Sequence, residues 1–121
     1  MPYIARKYEK QAEVIGNGQC VTLVKQFSDA PAASLWREGD KLTPDSAKTL
    51  AAGTVIATFA KGRYPNRSSG NHAAIFVRAF AGGIAVFDQW TNHKPSERNI
   101  YFGRGKGVNV AQRPELYSVV E

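Results

Sequence analysis

From Gly18 onward the apolar positions Cys20, Val21, Leu23, Val24 and Phe27 recur at intervals of three and four, the period of a helix with one buried face. That spacing predicts a short amphipathic helix over 19–28, entered from the loop Gly16-Asn17-Gly18 and ended by Ser28 or Asp29. Pro31 is suited to open a second short helix through Trp36, closed by Gly39, and 45–50 predicts one more turn before Gly53. Beyond Gly53 the pattern changes to β-branched and apolar runs: Thr54–Ala60, Ala73–Phe80 and Gly83–Trp90 read as strands. A polar loop, Lys61–Gly70, separates the first from the second, and Ala81-Gly82-Gly83 predicts a tight hairpin between the second and third. Arg98–Phe102 and Leu116–Val120 are candidate shorter strands. Helices first and an antiparallel sheet afterwards predict an α+β fold, the helices packed on one face of a small sheet.

The chain's 121 residues suffice for one domain, 1–121. With 43% hydrophobic and 21% charged residues it has the balance of a folded globular protein rather than a disordered one. A single cysteine excludes an internal disulfide framework and cysteine-rich zinc sites, and the two histidines are not spaced as metal ligands, so no metal or cofactor is expected. No apolar run approaches the roughly 20 residues that cross a bilayer, and the first residues lack the apolar segment of a secretory signal, so work outside the producing cell requires another route. The net charge of +6 is unevenly spread. Residues 1–60 carry seven Lys/Arg against six acids, whereas 61–113 carry nine against only Asp88 and Glu97. Such a half attracts anionic polymers, among them nucleic acid, membrane and cell wall. The basic residues are scattered without a nucleic-acid motif, and Gly103–Gly107 lacks the flanking strand and helix of a phosphate loop.

Three residues carry candidate chemistry. Cys20 stands where a loop turns into a helix, and unpaired N–H groups there favour the thiolate. His72 opens an apolar strand after a polar loop, within reach of a helix packed on the sheet, and suits the exchange of a proton with a thiol. Asp88 interrupts the apolar strand Ile84–Trp90, where an unpaired charge is costly; across the hairpin it falls near the level of His72–Ala74, placed to orient an imidazole. Gln19 offers an amide donor for an oxyanion, together with the backbone N–H of Cys20. Tyr64, Asn66 and Arg67 lie in the loop leading to His72 and are candidate substrate contacts, as is Trp90 by stacking. His93, in an exposed polar segment, is the one rival to His72 as base.

Gly18-Gln19-Cys20-Val21-Thr22-Leu23-Val24 resembles the motif that opens the nucleophile helix of CHAP domains, the papain-like cysteine, histidine-dependent amidohydrolases and peptidases. Asn71-His72-Ala73-Ala74-Ile75-Phe76-Val77 resembles their histidine strand, and Asp88 takes the place of their acidic orienting residue. Two residues further the family often carries Asn where this chain has Trp90, so the resemblance supplies no fourth catalytic member. Over nearly the whole chain, Gly18-Gln19-Cys20, Trp36–Gly39, Gly62–His72 and Asp88-Gln89-Trp90 are similar to a small bacterial family that looks like the amidase effectors of type VI secretion.

The resemblance implies a Cys20-His72-Asp88 hydrolase that cleaves an amide bond in peptidoglycan, either sugar–peptide or within the stem peptide. It further implies type VI delivery to a competitor's periplasm and a cognate immunity protein that blocks the cleft, with neither nucleic acid nor membrane as partner. Two other readings remain open from the sequence. One is a non-enzymatic basic module that binds an anionic polymer; the other is a cysteine deamidase or acyltransferase acting on protein.

Overall fold

The computed structural model describes residues 2–65 and 70–121. Helix α1 (Cys20–Phe27) is followed by β1 (Glu38–Lys41), α2 (Pro44–Lys48), β2 (Val55–Thr58), β3 (Ala73–Phe80), β4 (Gly83–Trp90), β5 (His93–Tyr101) and β6 (Tyr117–Val120). The strands form one antiparallel sheet in the order β1-β6-β2-β3-β4-β5. This is the α+β, papain-like architecture the sequence predicts.

Strand periodicity divides the core in two. Val55, Ala57, Ala73, Ile75, Phe87 and Val120 face one side of the sheet, where they pack against Leu23 and Val24 of α1 and against Trp36. The alternate residues Ile56, Ala74, Phe76, Ile84, Val86, Ile100, Tyr117 and Val119 face the other side, beneath Leu42 and the α2 residue Ala47. Both helices were expected on one face; they lie on opposite faces. The central strands have the unbroken apolar runs of a sheet covered on both sides, and the sequence reading did not use that signal.

Local chemistry sets the element ends. At α2, Thr43 Oγ1 accepts from the Ser46 N–H while Ser46 Oγ accepts from the Thr43 N–H, at 3.0 and 2.9 Å, and Pro44 opens the first turn. The helix expected from Pro31 to Trp36 is only a 3₁₀ turn, Ala33–Leu35, after which Trp36 is buried with its indole N–H on the Pro31 carbonyl at 2.9 Å. Gly39, expected to stop that helix, lies inside β1, which pairs with β6 at the end of the chain. Strand β5 begins at His93, well before the expected Arg98. Pro95 argues against a strand by sequence, but β5 is the sheet edge, where a residue without an N–H is tolerated.

Candidate active site

Strands β3 and β4 and the start of α1 meet at one end of the sheet. Ahead of α1 the chain turns sharply, with Gly16 and Gly18 both at positive φ and the Gly18 N–H bonded to the Ile15 carbonyl at 3.1 Å. Asn17 Oδ1 accepts from the Gln19 N–H (3.1 Å) and from the Thr22 hydroxyl (2.7 Å), which fixes the helix start. Cys20 is therefore the first helical residue, half-buried, with its thiol at the positive end of α1.

His72 immediately precedes β3. Its backbone N–H donates to Thr58 Oγ1 at 2.9 Å and its carbonyl accepts from the Thr58 N–H at 3.0 Å, so the residue is anchored to the end of β2. The β3–β4 register sets Asp88 level with Ala74, and the strand pleat brings its carboxylate to the imidazole. The His72 Nε2 to Asp88 Oδ2 distance is 2.7 Å, with both side chains almost fully buried. An ionised carboxylate only accepts, so Nε2 carries hydrogen and Nδ1 is left for the thiol.

Asp88 has a second partner that the sequence reading missed. Arg98 of β5 donates from Nη2 to Oδ2 at 2.8 Å and from Nε to Oδ1 at 3.0 Å. Its guanidinium also reaches the Gln112 side chain (2.9 Å) and the Ala111 carbonyl (3.2 Å), and it lies 5.0 Å from the Trp90 ring centroid. A carboxylate in an apolar strand demands a cation, and β5 is the next strand in sequence. That demand was the available signal.

The electrostatics follow from these contacts. Burial works against the charged form of Asp88, but the hydrogen bonds and charges of His72 and Arg98 hold its carboxyl below the usual range. Burial likewise works against imidazolium at His72, yet the hydrogen bond to Asp88 and the interaction with Cys20 push it up to about 9. At Cys20 burial favours the thiol. His72, by hydrogen bond and by charge, outweighs it with help from the Ala73 N–H and the Tyr64 hydroxyl, and leaves the thiol below its ordinary value. Both shifts run in the direction that favours the thiolate and imidazolium pair.

Gln89 also escaped the sequence reading. Its side chain is fully buried. Nε2 donates to the carbonyls of Ile15 (3.0 Å) and Gln19 (2.9 Å), while Oε1 accepts from the Ile15 N–H (3.0 Å). Its traces in the sequence were a polar residue next to Asp88 inside a buried strand and its place in the family-like segment Asp88-Gln89-Trp90.

A cleft of about 580 Å³ opens over these groups, lined by Gln19, Cys20, Val21, Ala33, Ser34, Tyr64, Pro65, Asn71, His72, Trp90 and Thr91. Of the expected substrate contacts, Tyr64 and Trp90 border it, whereas Asn66 and Arg67 lie outside the described residues. Gln19 is exposed at its rim and makes no side-chain cap to α1. His93, expected in an exposed segment, is half-buried and stacks on Trp90 with ring centroids 3.8 Å apart. The Trp90 ring also meets His72 edge-on, with centroids 5.9 Å apart, so Trp90 touches both imidazoles.

Residues 4–119 match the model of the domesticated amidase effector 2 family. The chain belongs to this family. It is 37% identical, over the full length of both proteins, to a type VI secretion amidase effector 2 protein from Salmonella typhi. Its fold is similar to the solved structure of type 6 secretion amidase effector 2, with a TM-score of 0.79 and 37% identity across 97% of this chain and 90% of that one. Among the described residues, Cys20, His72 and Asp88 form the group in this amidase-family chain whose chemistry suits amide cleavage.

Proposed function

We propose that the protein is a cysteine amidase of peptidoglycan, an antibacterial effector in which Cys20 is the nucleophile, His72 the acid and base, and Asp88 the residue that orients His72. The observation that carries this reading is that the Cys20 thiol and the His72 imidazole line one cleft and interact there, the imidazole bonded to a buried carboxylate that ends on Arg98. Its membership of an amidase effector family favours it over a non-enzymatic basic module.

In the first step the Cys20 thiolate attacks the amide carbon, an S–C bond forms and the carbonyl electron pair moves to oxygen. As the intermediate collapses the C–N bond breaks, and His72 Nδ1 gives its proton to the departing amine. His72 then takes a proton from water, whose oxygen attacks the thioester. The C–S bond breaks, the carboxylic acid leaves, and thiolate and imidazolium are restored. Asp88 keeps Nε2 protonated throughout and stabilises the cation. Gln19 and the Cys20 backbone N–H are donors for the oxyanion. Tyr64 and Trp90, with Asn66 and Arg67, contact the glycopeptide; the bond cut is sugar–peptide or within the stem peptide.

Type VI delivery places this activity in the periplasm of the target cell, and an immunity protein seated in the cleft protects the producer. Delivery follows the relatives, which are type VI secretion amidase effectors, and the immunity protein follows the resemblance noted above. In the decisive experiment, purified sacculi are digested and the new termini identified. Cys20→Ala and His72→Ala are each expected to abolish digestion while circular dichroism stays unchanged. Undiminished digestion by either variant would overturn the mechanism, and deamidated or acylated protein in place of new muropeptide termini would overturn the substrate.

A further inference from the structure

The Tyr64 hydroxyl lies 3.7 Å from Cys20 Sγ, and no element of the mechanism above uses that contact. We infer that Tyr64 is a catalytic residue whose hydroxyl donates to the oxyanion formed when Cys20 attacks an amide, beyond any role in holding substrate. The inference rests on Cys20 being the nucleophile.

Three observations support it. The first is position. In a tetrahedral adduct the oxyanion stands roughly 2.6 Å from the sulfur, one bond beyond the carbon that sulfur has joined, and an effective donor lies about 2.7–3.1 Å from that oxygen. A hydroxyl 3.7 Å from sulfur, bordering the same cleft, satisfies both distances without moving the backbone.

The second is the state of the hydroxyl. Burial and then the nearby charge of Cys20 push the phenol up, so it keeps its hydrogen throughout the working pH range. Once Cys20 is the attacking thiolate it has no hydrogen to give, and the Tyr64 hydroxyl is the donor of the pair. When charge passes from sulfur to oxygen, the same hydrogen follows it.

The third is rigidity. The Tyr64 ring packs on the α1-side core and meets the fully buried Trp36 edge-on, centroids 5.1 Å apart. Trp36 is itself tied to Pro31 by its indole N–H. A donor fixed before the reaction does not have to be reoriented during it, which is the condition for strong oxyanion stabilisation. Gln19, exposed and without a side-chain cap, has less to fix it.

Tyr64→Phe keeps the ring and removes the hydroxyl, and it is compared with the parent protein and Cys20→Ala. Two rates are measured for each: digestion at saturating purified sacculi, and alkylation of Cys20 by iodoacetamide at neutral pH. The expected result for Tyr64→Phe is a fall of about 10²–10³-fold in digestion, the loss that follows removal of one such donor, with alkylation changed by less than about threefold. The second rate isolates the thiolate, which the hydroxyl also touches. Digestion within about threefold of the parent, or a loss matched by an equal loss of alkylation, overturns the inference while leaving the cysteine mechanism in place. Digestion by Cys20→Ala overturns the cysteine mechanism itself. Should Tyr64→Phe fold poorly, Asn71→Ala provides the second test: it retains the hydroxyl but removes the bond from Asn71 Nδ2 to the Pro65 carbonyl (3.3 Å) that holds the neighbouring residue, and a fall of roughly tenfold in digestion with unchanged alkylation is expected. No change in that variant counts against the inference.

Discussion

Asp88 carries more of the site than any other single residue, because both of its oxygens are engaged inside the protein. Removing Arg98 leaves a buried carboxylate with His72 as its one remaining charged partner among the described residues. Loss of one partner from a buried pair costs about 3–5 kcal/mol. Arg98→Leu is therefore expected to lower the melting temperature strongly, and Arg98→Lys to recover only part of the loss, since an ammonium cannot reproduce the forked contacts to Oδ1 and Oδ2. Asp88→Asn is expected to reduce sacculus digestion roughly 10²-fold, less than Cys20→Ala, because in the proposed mechanism the residue orients and does not react. The pH dependence follows from the directions of the shifts. His72 is raised to about 9, so its contribution to stability is complete below the ordinary histidine value and is lost as pH climbs through about 9. Asp88 is lowered, so its contribution is present above the ordinary carboxylate value and is lost on acidification. Melting temperature measured from about pH 2 to about pH 10 is expected to decline at both ends, the acid decline setting in below about pH 4, and in His72→Ala the alkaline decline near 9 is expected to disappear. Cys20, His72 and Asp88 were legible in the sequence because each sits in a context of its own: a loop-to-helix junction, a strand opening and an apolar run. Arg98 and Gln89 have no such local context. Their meaning lies in partners ten or more positions away, and only the register supplies those.

Among the elements, the β3–β4 hairpin was read to the residue. Its apolar runs are bounded by turn glycines, and Gly82 takes the positive φ that the turn requires. The elements misread are those whose existence depends on distant partners. Strand β1 has the polar sequence Glu38-Gly39-Asp40-Lys41 and forms because β6, at the far end of the chain, offers it an edge. The early part of β5 forms because β4 pairs with it as far as His93. Within β4, Gln89 acts on a different element: its three hydrogen bonds tie the loop before α1 to the sheet. Gln89→Leu preserves approximate volume but strands the Ile15 N–H, at about 1–3 kcal/mol for a buried group left unpaired, and leaves the Ile15 and Gln19 carbonyls with only the Gly18 and Leu23 N–H groups. The expected outcome is a lower melting temperature, together with faster amide hydrogen exchange in 15–20 than in the β3–β4 hairpin. Equal protection in both segments would show that the loop does not need this tie.

Across the whole molecule the basic surplus of 61–113 is displayed largely on exposed side chains, including Lys61, Arg63, Lys94, Arg104 and Lys106. Long-range attraction of this kind concentrates an enzyme on an anionic polymer and is screened by salt. Raising NaCl from about 50 mM to about 300 mM is expected to weaken retention on sacculi and to raise the apparent KM while kcat stays constant, since the proposed catalytic groups are buried or half-buried and screened little. A fall in kcat with unchanged KM would place the salt effect on the chemistry instead. The two-sided core and the neighbouring positions 88 and 89 have a consequence for assembly. Successive side chains of β4 leave the strand in opposite directions, one to secure the proton carrier and the next to secure the segment bearing the sulfur. A slip of one position along that ladder would exchange their destinations and disarm both halves at once. Hydrolytic activity thus doubles as an all-or-none reporter of correct strand alignment, and a misregistered copy of the toxin is harmless to the cell that makes it.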